Sequence, residues 1–189
     1  MKGVIITFNN INIVIGITGG IAAYKACGII SFLKQQGANV DIIMTKNACN
    51  FITPLTLETL SGNKVIVDMF DETDFTVVKH IYLAKKADLF LIIPTTANII
   101  GKVANGIADD MLTTTLIATK APIIFAPAMN NQMYENPIVQ KNLEILKTYG
   151  YHILEPSIGH LACGYVEKGK LPKNEEIIDY VKKLIKEKK

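Results

Sequence analysis

Continuous apolar stretches alternate along the chain with stretches in which apolar residues recur every three or four positions. The continuous stretches are typical of strands that are buried on both faces of a parallel sheet. They predict strands at residues 12–18, 40–45, 89–93, 123–126 and 151–154. The third of these strands is expected to stop at Pro94.

The periodic stretches predict helices, because apolar residues at this spacing fall on one face of a helix. These helices lie at residues 21–36, 53–60, 97–105, 111–119 and 137–149, and Asn174 caps a final one. Residues that favour helix ends flank these helices: Asp110 precedes one, and Gly37, Gly62 and Gly150 follow three others. Residues 64–76 have no readable pattern. The alternation predicts an α/β fold with a parallel sheet and helices on both of its faces.

The composition indicates one domain over residues 1–189, with residues 1–11 as a flexible arm or an alternative start. The chain is 49% apolar and 20% charged, which suits a single core of substantial size. No apolar run reaches the roughly 18 residues that span a membrane. The short apolar run near the N-terminus has no cleavage site after it. We therefore expect a cytoplasmic protein without a membrane partner.

Charge and cysteine content exclude further classes of protein. The net charge is +3, and much of the positive charge lies at the C-terminus without a basic stripe elsewhere, which argues against nucleic-acid binding. The three cysteines are odd in number and widely spaced, so they predict neither a disulfide framework nor a zinc site.

A glycine-rich turn at residues 16–20 joins the first predicted strand to the first helix. Glycines let the backbone approach an anion, and the helix that follows offers free N–H groups. The spacing is not that of a dinucleotide motif, and no acidic residue ends the second strand. The turn therefore suits a mononucleotide phosphate better than NAD. The alternative is a turn that merely lets the helix pack closely on the strand.

Three further polar segments follow strands or precede helices: residues 94–98, 109–110 and 127–130. Ordinary turns and helix caps also use such residues. Because the carboxyl ends of parallel strands share one edge of the sheet, all of these segments are expected to converge there. Their convergence predicts a binding site, in which Asn130 can both donate and accept hydrogen bonds.

Few titratable residues are candidates for chemistry. A lone histidine such as His80 is more often structural, and Cys27 and Cys49 favour packing roles. Cys163 differs because it lies near Gly159 and Gly164 in a long predicted loop that continues to residue 169. An accessible cysteine in such a loop is a candidate for redox chemistry or proton transfer.

Five short motifs together resemble those of the flavin-containing cysteine decarboxylases, most closely those that act on phosphopantothenoylcysteine in coenzyme A biosynthesis. The resemblance extends from about residue 13 to 171. The motifs are residues 16–25, the pair His80-Ile81, residues 94–98, residues 127–130 with Met133, and residues 162–164.

The resemblance implies a three-layer flavodoxin-like (Rossmann-like) fold with a central parallel sheet and a bound FMN. His80 would be the catalytic base and Cys163 the proton donor, with Asn130 and Met133 binding the substrate. The residues implied to bind the cofactor are Thr18, Gly19, Gly20, Ile21, Thr45, Pro94, Thr96, Ala97, Asn98, Ile99, Asp110 and Ala126. No metal is implied. Two positions depart from the family pattern: Ile99 replaces a hydroxyl residue, and Asp109 stands where asparagine is common.

The implied reaction converts 4′-phosphopantothenoylcysteine to 4′-phosphopantetheine. It proceeds by oxidation of the thiol to a thioaldehyde, loss of CO₂ and re-reduction of the enethiol. The family also implies a homotrimer or a dodecamer of trimers. A separate phosphopantothenoylcysteine synthetase is expected, because the chain ends at Lys189.

Three alternative functions stay open at this point. One is a decarboxylase of a peptide C-terminal cysteine that stops at the enethiol. Another is a flavin prenyltransferase, against which His80, Asn130 and Cys163 count together. The third is a non-catalytic flavin-binding regulatory protein, although this chain lacks the acidic extensions of such proteins.

Overall fold

The computed structural model of the chain describes residues 8–70, 78–160, 162 and 164–187. Its centre is a parallel sheet of six strands in the order β3-β2-β1-β4-β5-β6. The strands are β1 (Asn12–Ile17), β2 (Asn39–Met44), β3 (Val65–Ile66), β4 (Leu89–Thr95), β5 (Ile123–Pro127) and β6 (His152–Ile153). The strand order reverses between β1 and β4, and in such sheets the carboxyl ends of the strands open into a crevice there.

Helices connect the strands and cover both faces of the sheet. They are α1 (Ala26–Gln35), α2 (Pro54–Ser61), α3 (Lys79–Lys86), α4 (Ala97–Ala104), α5 (Met111–Ala118), α6 (Asn131–Glu135), α7 (Pro137–Thr148) and α8 (Asn174–Glu187). Two 3-10 helices, Ile21–Lys25 and Lys46–Asn50, follow the ends of β1 and β2. The helix predicted at residues 21–36 is therefore a 3-10 turn that continues into α1.

Alternate residues of each central strand pack into two separate cores, as expected for a sheet buried on both faces. Ile13 and Ile15 of β1 belong to the core that contains Leu33 of α1 and Val181 of α8. Val14 of β1 belongs to the opposite core, which holds residues of α3, α4, α5 and α7. The predicted three-layer α/β architecture is confirmed.

The expectation that the strand predicted at residues 89–93, which is β4 in the structure, stops at Pro94 is wrong. β4 continues to Thr95, which is fully buried and pairs with Pro127. The Thr95 hydroxyl donates to the Ile92 carbonyl at 2.7 Å and accepts from the Ala126 N–H at 3.0 Å. These bonds stand in for the ladder bond that proline cannot make, so the strand persists for two more residues.

The sequence also left several elements unrecognised. β3 lies in the unreadable stretch 64–76, of which residues 71–76 fall outside the described residues. α3 and α6 were not predicted. The long loop expected up to residue 169 is instead largely an antiparallel ribbon, formed by β7 (Ser157–His160) and β8 (Val166–Lys170). Within the described part of the chain, no helix is long and apolar enough to cross a bilayer.

Candidate functional site

Two adjoining cavities lie at the carboxyl-end edge of the sheet. The first, which we call the β2 cavity, has a volume of about 650 Å³ and extends from Thr18 to the segment that follows β2. The second, the ribbon cavity, has a volume of about 530 Å³ and reaches Gly169 and Lys170 of β8. Both lie in the range of ligand pockets. The cavities share Gly19, Thr96, Ala97 and Met133, so one bound molecule or two neighbouring ones can use both.

The glycine-rich turn forms the floor of both cavities. Thr18 is buried, and its hydroxyl donates to the Pro94 carbonyl at 2.7 Å, which ties the end of β1 to that of β4. A Cβ atom on Gly19 would lie 2.6 Å from Cβ of Asn47 and 3.0 Å from its carbonyl carbon. Since such contacts are too close, only glycine fits here, and it leaves backbone exposed to the cavity as a cradle for an anion.

Two threonine hydroxyls line the β2 cavity at the starts of helical turns. Thr45 accepts from the Ala48 N–H at 3.3 Å, and Thr96 accepts from the Ile99 N–H at 3.5 Å. Both therefore serve as N-caps, which for Thr96 is the structural alternative that the sequence left open. A hydroxyl that accepts one bond still has a hydrogen to donate, so capping does not prevent either residue from binding an anionic or carbonyl group.

Asp110 and Lys102 stand on the far wall of the β2 cavity. The Asp110 carboxylate caps α5 in a capping box with Thr113. Lys102 Nζ lies 2.6 Å from Asp109 and 3.1 Å from Asp110. The hydrogen bond with Asp109 raises the pKa of Lys102 and lowers that of Asp109. The positive charge of Lys102 is therefore compensated by carboxylates of the protein itself.

The segment after β5 connects the ribbon cavity to β8. Asn130 accepts from the Gln132 N–H at 2.9 Å and so caps α6. The preceding residue, Met129, donates its N–H to the Gly169 carbonyl at 3.0 Å. A Cβ on Gly169, whose φ is +145°, would overlap the Met129 carbonyl oxygen. The backbone of β8 therefore docks directly on the segment that carries Asn130.

A polar network holds the ribbon against α6. The Tyr134 hydroxyl donates to Glu155 at 2.7 Å, and Lys168 of β8 donates to the same carboxylate oxygen at 3.0 Å. Burial, followed by the bond to Glu155, raises the pKa of Tyr134. Burial alone would raise the pKa of Glu155, but the hydrogen bonds from Tyr134 and Lys168 outweigh it and lower that pKa. The Glu155 carboxylate is thus charged near neutral pH and anchors the ribbon.

The lowered pKa of Glu155 predicts a pH-dependent effect on stability. A carboxyl whose pKa is lower in the folded state stabilises the fold above its unfolded-state pKa, and this is lost as the pH falls through the folded-state value. We expect Glu155→Gln to lower the free energy of unfolding at pH 7 by about 1 kcal/mol or less, since the group is partly exposed. The difference should shrink below pH of about 4.3, the usual Glu pKa.

Urea denaturation at pH 7 and pH 3 measures this difference. Glu135→Gln is a matched control, because Glu135 is exposed at the end of α6 and should have little effect at either pH. An equal loss for Glu155→Gln at both pH values would show that the charge of Glu155 does not contribute.

The structure brings most of the predicted site residues together. One or both cavities are lined by Thr18, Gly19, Gly20, Ile21, Thr45, Thr96, Ala97, Asn98, Ile99, Asp110, Asn130 and Met133. Pro94 and Ala126 lie behind this wall, where they support Thr18 and Thr95 through backbone hydrogen bonds.

The two predicted catalytic residues are placed differently. His80 is half-buried at the start of α3 and lines neither cavity of its own chain. Cys163 lies outside the described residues, between Ala162, which lines the ribbon cavity, and Gly164.

Several lining residues were not predicted. Asn47 follows the end of β2, a position that the strand-end rule could have identified. Lys25 lies at the end of the 3-10 helix within the quoted motif at residues 16–25. Lys170 belongs to β8, which the sequence pattern did not indicate, so no signal pointed to it.

Comparison with known sequences identifies relatives along almost the whole chain. The model of the family described as Flavoprotein matches residues 7–186. A Bacillus subtilis protein named coenzyme A biosynthesis bifunctional protein CoaBC is 53% identical over 175 residues, covering 93% of this chain and 43% of that protein. A Streptococcus mutans protein named probable phosphopantothenoylcysteine decarboxylase is 44% identical over 171 residues, covering 89% of this chain and 96% of that protein. The chain thus spans less than half the length of the bifunctional relative.

Two solved structures share the fold. The FMN-dependent cysteine decarboxylase SpaF superposes with a TM-score of 0.83 at 29% identity, covering 95% of this chain and 98% of that chain. A Cys-to-Ser mutant of PPC decarboxylase, complexed with pantothenoylaminoethenethiol, superposes with a TM-score of 0.81 at 27% identity, covering 91% and 96%. Both similarities thus cover more than nine-tenths of this chain.

Proposed function

Because the chain belongs to the Flavoprotein family, we propose that it is an FMN-dependent carboxy-lyase acting on 4′-phosphopantothenoylcysteine in coenzyme A biosynthesis. The observation that carries this proposal is the similarity to a decarboxylase along nearly the full length of both chains. The product is 4′-phosphopantetheine. A phosphopantothenoylcysteine synthetase would supply the substrate, and the cytoplasm is our prediction for the location.

The residues of the β2 cavity fit FMN by their chemistry. The Gly19 cradle and the Thr45 and Thr96 hydroxyls offer donors to a phosphate and to ring carbonyl groups. The charged residues that line this cavity pair with one another: Lys46 with Asp68, and Lys102 with Asp109 and Asp110. When bound, FMN supplies the two-electron oxidation of the substrate thiol and its later reversal. On that basis we assign the predicted cofactor residues of this cavity to this role, with Pro94 and Ala126 behind them. Gly20 and Ile21, which line only the ribbon cavity, continue the same turn beyond Gly19 and are assigned with it.

The fit predicts that a methyl group on Gly19 weakens FMN binding. In Gly19→Ala, the segment around Asn47 must shift to relieve the overlap, at a cost of about 1–3 kcal/mol. We expect the FMN dissociation constant to rise by about 5- to 100-fold. Flavin fluorescence during titration of apoprotein measures this constant, and a thermal melt of the apoprotein tests for general destabilisation.

Gly101→Ala is the matched control for Gly19→Ala. A Cβ on Gly101 lies 3.7 Å from the Asn142 side chain, an ordinary contact, so FMN affinity should not change. An FMN affinity of Gly19→Ala equal to that of the unmodified protein would remove the turn from the cofactor site.

We assign substrate binding to Asn130 and Met133. Since Asn130 Oδ1 accepts from the Gln132 N–H, the orientation of the carboxamide is set, and its NH₂ group is the donor suited to a carboxylate. Met133 lies half-exposed where the two cavities meet, which suits contact with both substrate and cofactor. Cys163 directly follows Ala162, which lines the ribbon cavity, and we assign Cys163 as the proton donor.

We assign His80 as the base and infer that it acts in an oligomer. It lines neither cavity of its own chain, and three apolar neighbours, Val78, Ile81 and Tyr82, expose 56%, 37% and 49% of their surface. Exposed apolar groups around a polar residue are typical of a contact surface. A homotrimer, or a dodecamer of trimers, in which α3 reaches the site of the next copy accounts for this placement.

The proposed substrate is tested by CO₂ release from two candidates, 4′-phosphopantothenoylcysteine and a peptide that ends in cysteine. We expect release from the first and little from the second. The opposite preference would favour a peptide decarboxylase, and release from neither by an FMN-loaded protein would favour a binding role.

A further inference from the structure

Two lysines line the ribbon cavity. Lys25 is the last residue of the 3-10 helix after β1, and Lys170 is the last residue of β8. Both are half-buried. Burial lowers the pKa of Lys25, and the positive charge of Lys170 lowers it further. Because both lysines line one cavity, their ammonium groups repel each other.

No carboxylate of the described chain compensates these charges. The described residues that line the ribbon cavity include no Asp or Glu. Within the same part of the chain, neither Lys25 nor Lys170 forms an ion pair, whereas Lys46 and Lys102 of the β2 cavity pair with Asp68, Asp109 and Asp110. The ribbon cavity thus concentrates positive charge, and a bound anion would relieve the repulsion.

We propose that Lys25 and Lys170 form a subsite for the terminal phosphate monoester of the substrate. This inference rests on the proposed function. A phosphate monoester carries a charge of about −1.5 to −2 near neutral pH, which matches two ammonium groups better than a carboxylate does. Asn130 lines the same cavity, so the lysine pair and this carboxamide can hold opposite ends of one molecule.

The phosphate of FMN is the other source of the same chemistry. The Gly19 cradle after β1 and the Thr45 hydroxyl after β2 already offer it neutral donors in the β2 cavity. The lysine pair instead shares its cavity with Asn130 and with β8, on the other side of Gly19. This separation assigns the pair to the substrate.

Steady-state kinetics with pantothenoylcysteine, with and without its 4′-phosphate, test the subsite. We expect Lys25→Gln and Lys170→Gln each to lower kcat/KM for the phosphorylated substrate by about 10- to 100-fold. For the substrate without phosphate, kcat/KM should change by no more than about 2-fold. The variants should therefore lose the preference for the phosphorylated substrate. Lys170→Arg should retain most of the preference, since it keeps the charge. Lys173→Gln is the control, because Lys173 is exposed and lines neither cavity.

Two outcomes would overturn the assignment. Equal losses for both substrates would mean that the lysines support the fold rather than the phosphate. A loss of FMN affinity in the variants, with an unchanged preference between substrates, would assign the pair to the cofactor phosphate.

A binding measurement separates this inference from the proposed function. Calorimetry compares 4′-phosphopantetheine with pantetheine on the FMN-loaded protein and requires no turnover. A preference for the phosphorylated compound that both Gln variants lose supports the subsite even if decarboxylation is never detected. The lack of any preference in the unmodified protein refutes the subsite, whatever the kinetics.

Discussion

Replacing His80 by asparagine is expected to lower the rate of decarboxylation by about 10²- to 10⁴-fold, the usual contribution of a general base. Asparagine can form hydrogen bonds but cannot accept the proton that the reaction releases. FMN should stay bound, since His80 lines neither cavity of its own chain. CO₂ release and the flavin content of the purified variant measure the two properties separately.

The control for this variant is His152→Asn. His152 lies on β6, and its Nδ1 is 3.1 Å from the Tyr180 hydroxyl. The activity of the His152→Asn variant should remain within about 2-fold of that of the unmodified protein. Mixing subunits of His80→Asn with those of Asn130→Ala should restore part of the activity if His80 serves the site of another copy. Normal turnover by His80→Asn would remove His80 from the mechanism.

Replacing Cys163 by serine is expected to change the product more than the release of CO₂. An enethiol must take up two hydrogens to become the saturated thiol, and one of them arrives as a proton. A serine hydroxyl is a far weaker acid than a thiol, whose pKa is about 8.5. We therefore expect saturated product to fall by at least about 10²-fold. A product two hydrogens lighter should accumulate in air, where oxygen re-oxidises the reduced flavin, and should reach about one equivalent per FMN without oxygen.

Mass spectrometry of the product distinguishes these compounds in a single experiment. Cys27→Ser is the matched control, since Cys27 lies on α1 and packs against the core away from both cavities. A normal yield of saturated product from Cys163→Ser would refute the assignment of Cys163 as proton donor. A loss of CO₂ release as well would place Cys163 in an earlier step.

The central strands and most helices could be predicted because local sequence patterns determine where these elements begin and end. Continuous apolar runs marked β1, β2 and β5, and glycines or caps marked the ends of α2 and α7. β4 was placed correctly but ended too early at Pro94. The side chain of Thr95 replaces the missing ladder bonds through contacts with β5, and no local rule reveals such a partner.

The ribbon and the lysine pair show where sequence reasoning reaches its limit. β7 and β8 alternate poorly between apolar and polar residues, since Gly169 is the only buried residue among the described residues of the ribbon, which docks through the Gly169 backbone. The proximity of Lys25 and Lys170 arises only when β8 lies over the turn after β1, about 145 positions away along the chain. Strand-end motifs thus indicated Asn130 and Thr96, but the charge of the cavity depends on tertiary contacts.

The central claim is that the protein completes an internally balanced oxidation, decarboxylation and reduction. Its most direct test is an anaerobic incubation of the FMN-loaded protein with 4′-phosphopantothenoylcysteine, without added reductant, followed by the mass of the product. We predict the mass of 4′-phosphopantetheine, which differs from the substrate by CO₂ alone. Recovery of unchanged substrate would contradict the account, and a product lighter by two further hydrogens would contradict the final reduction.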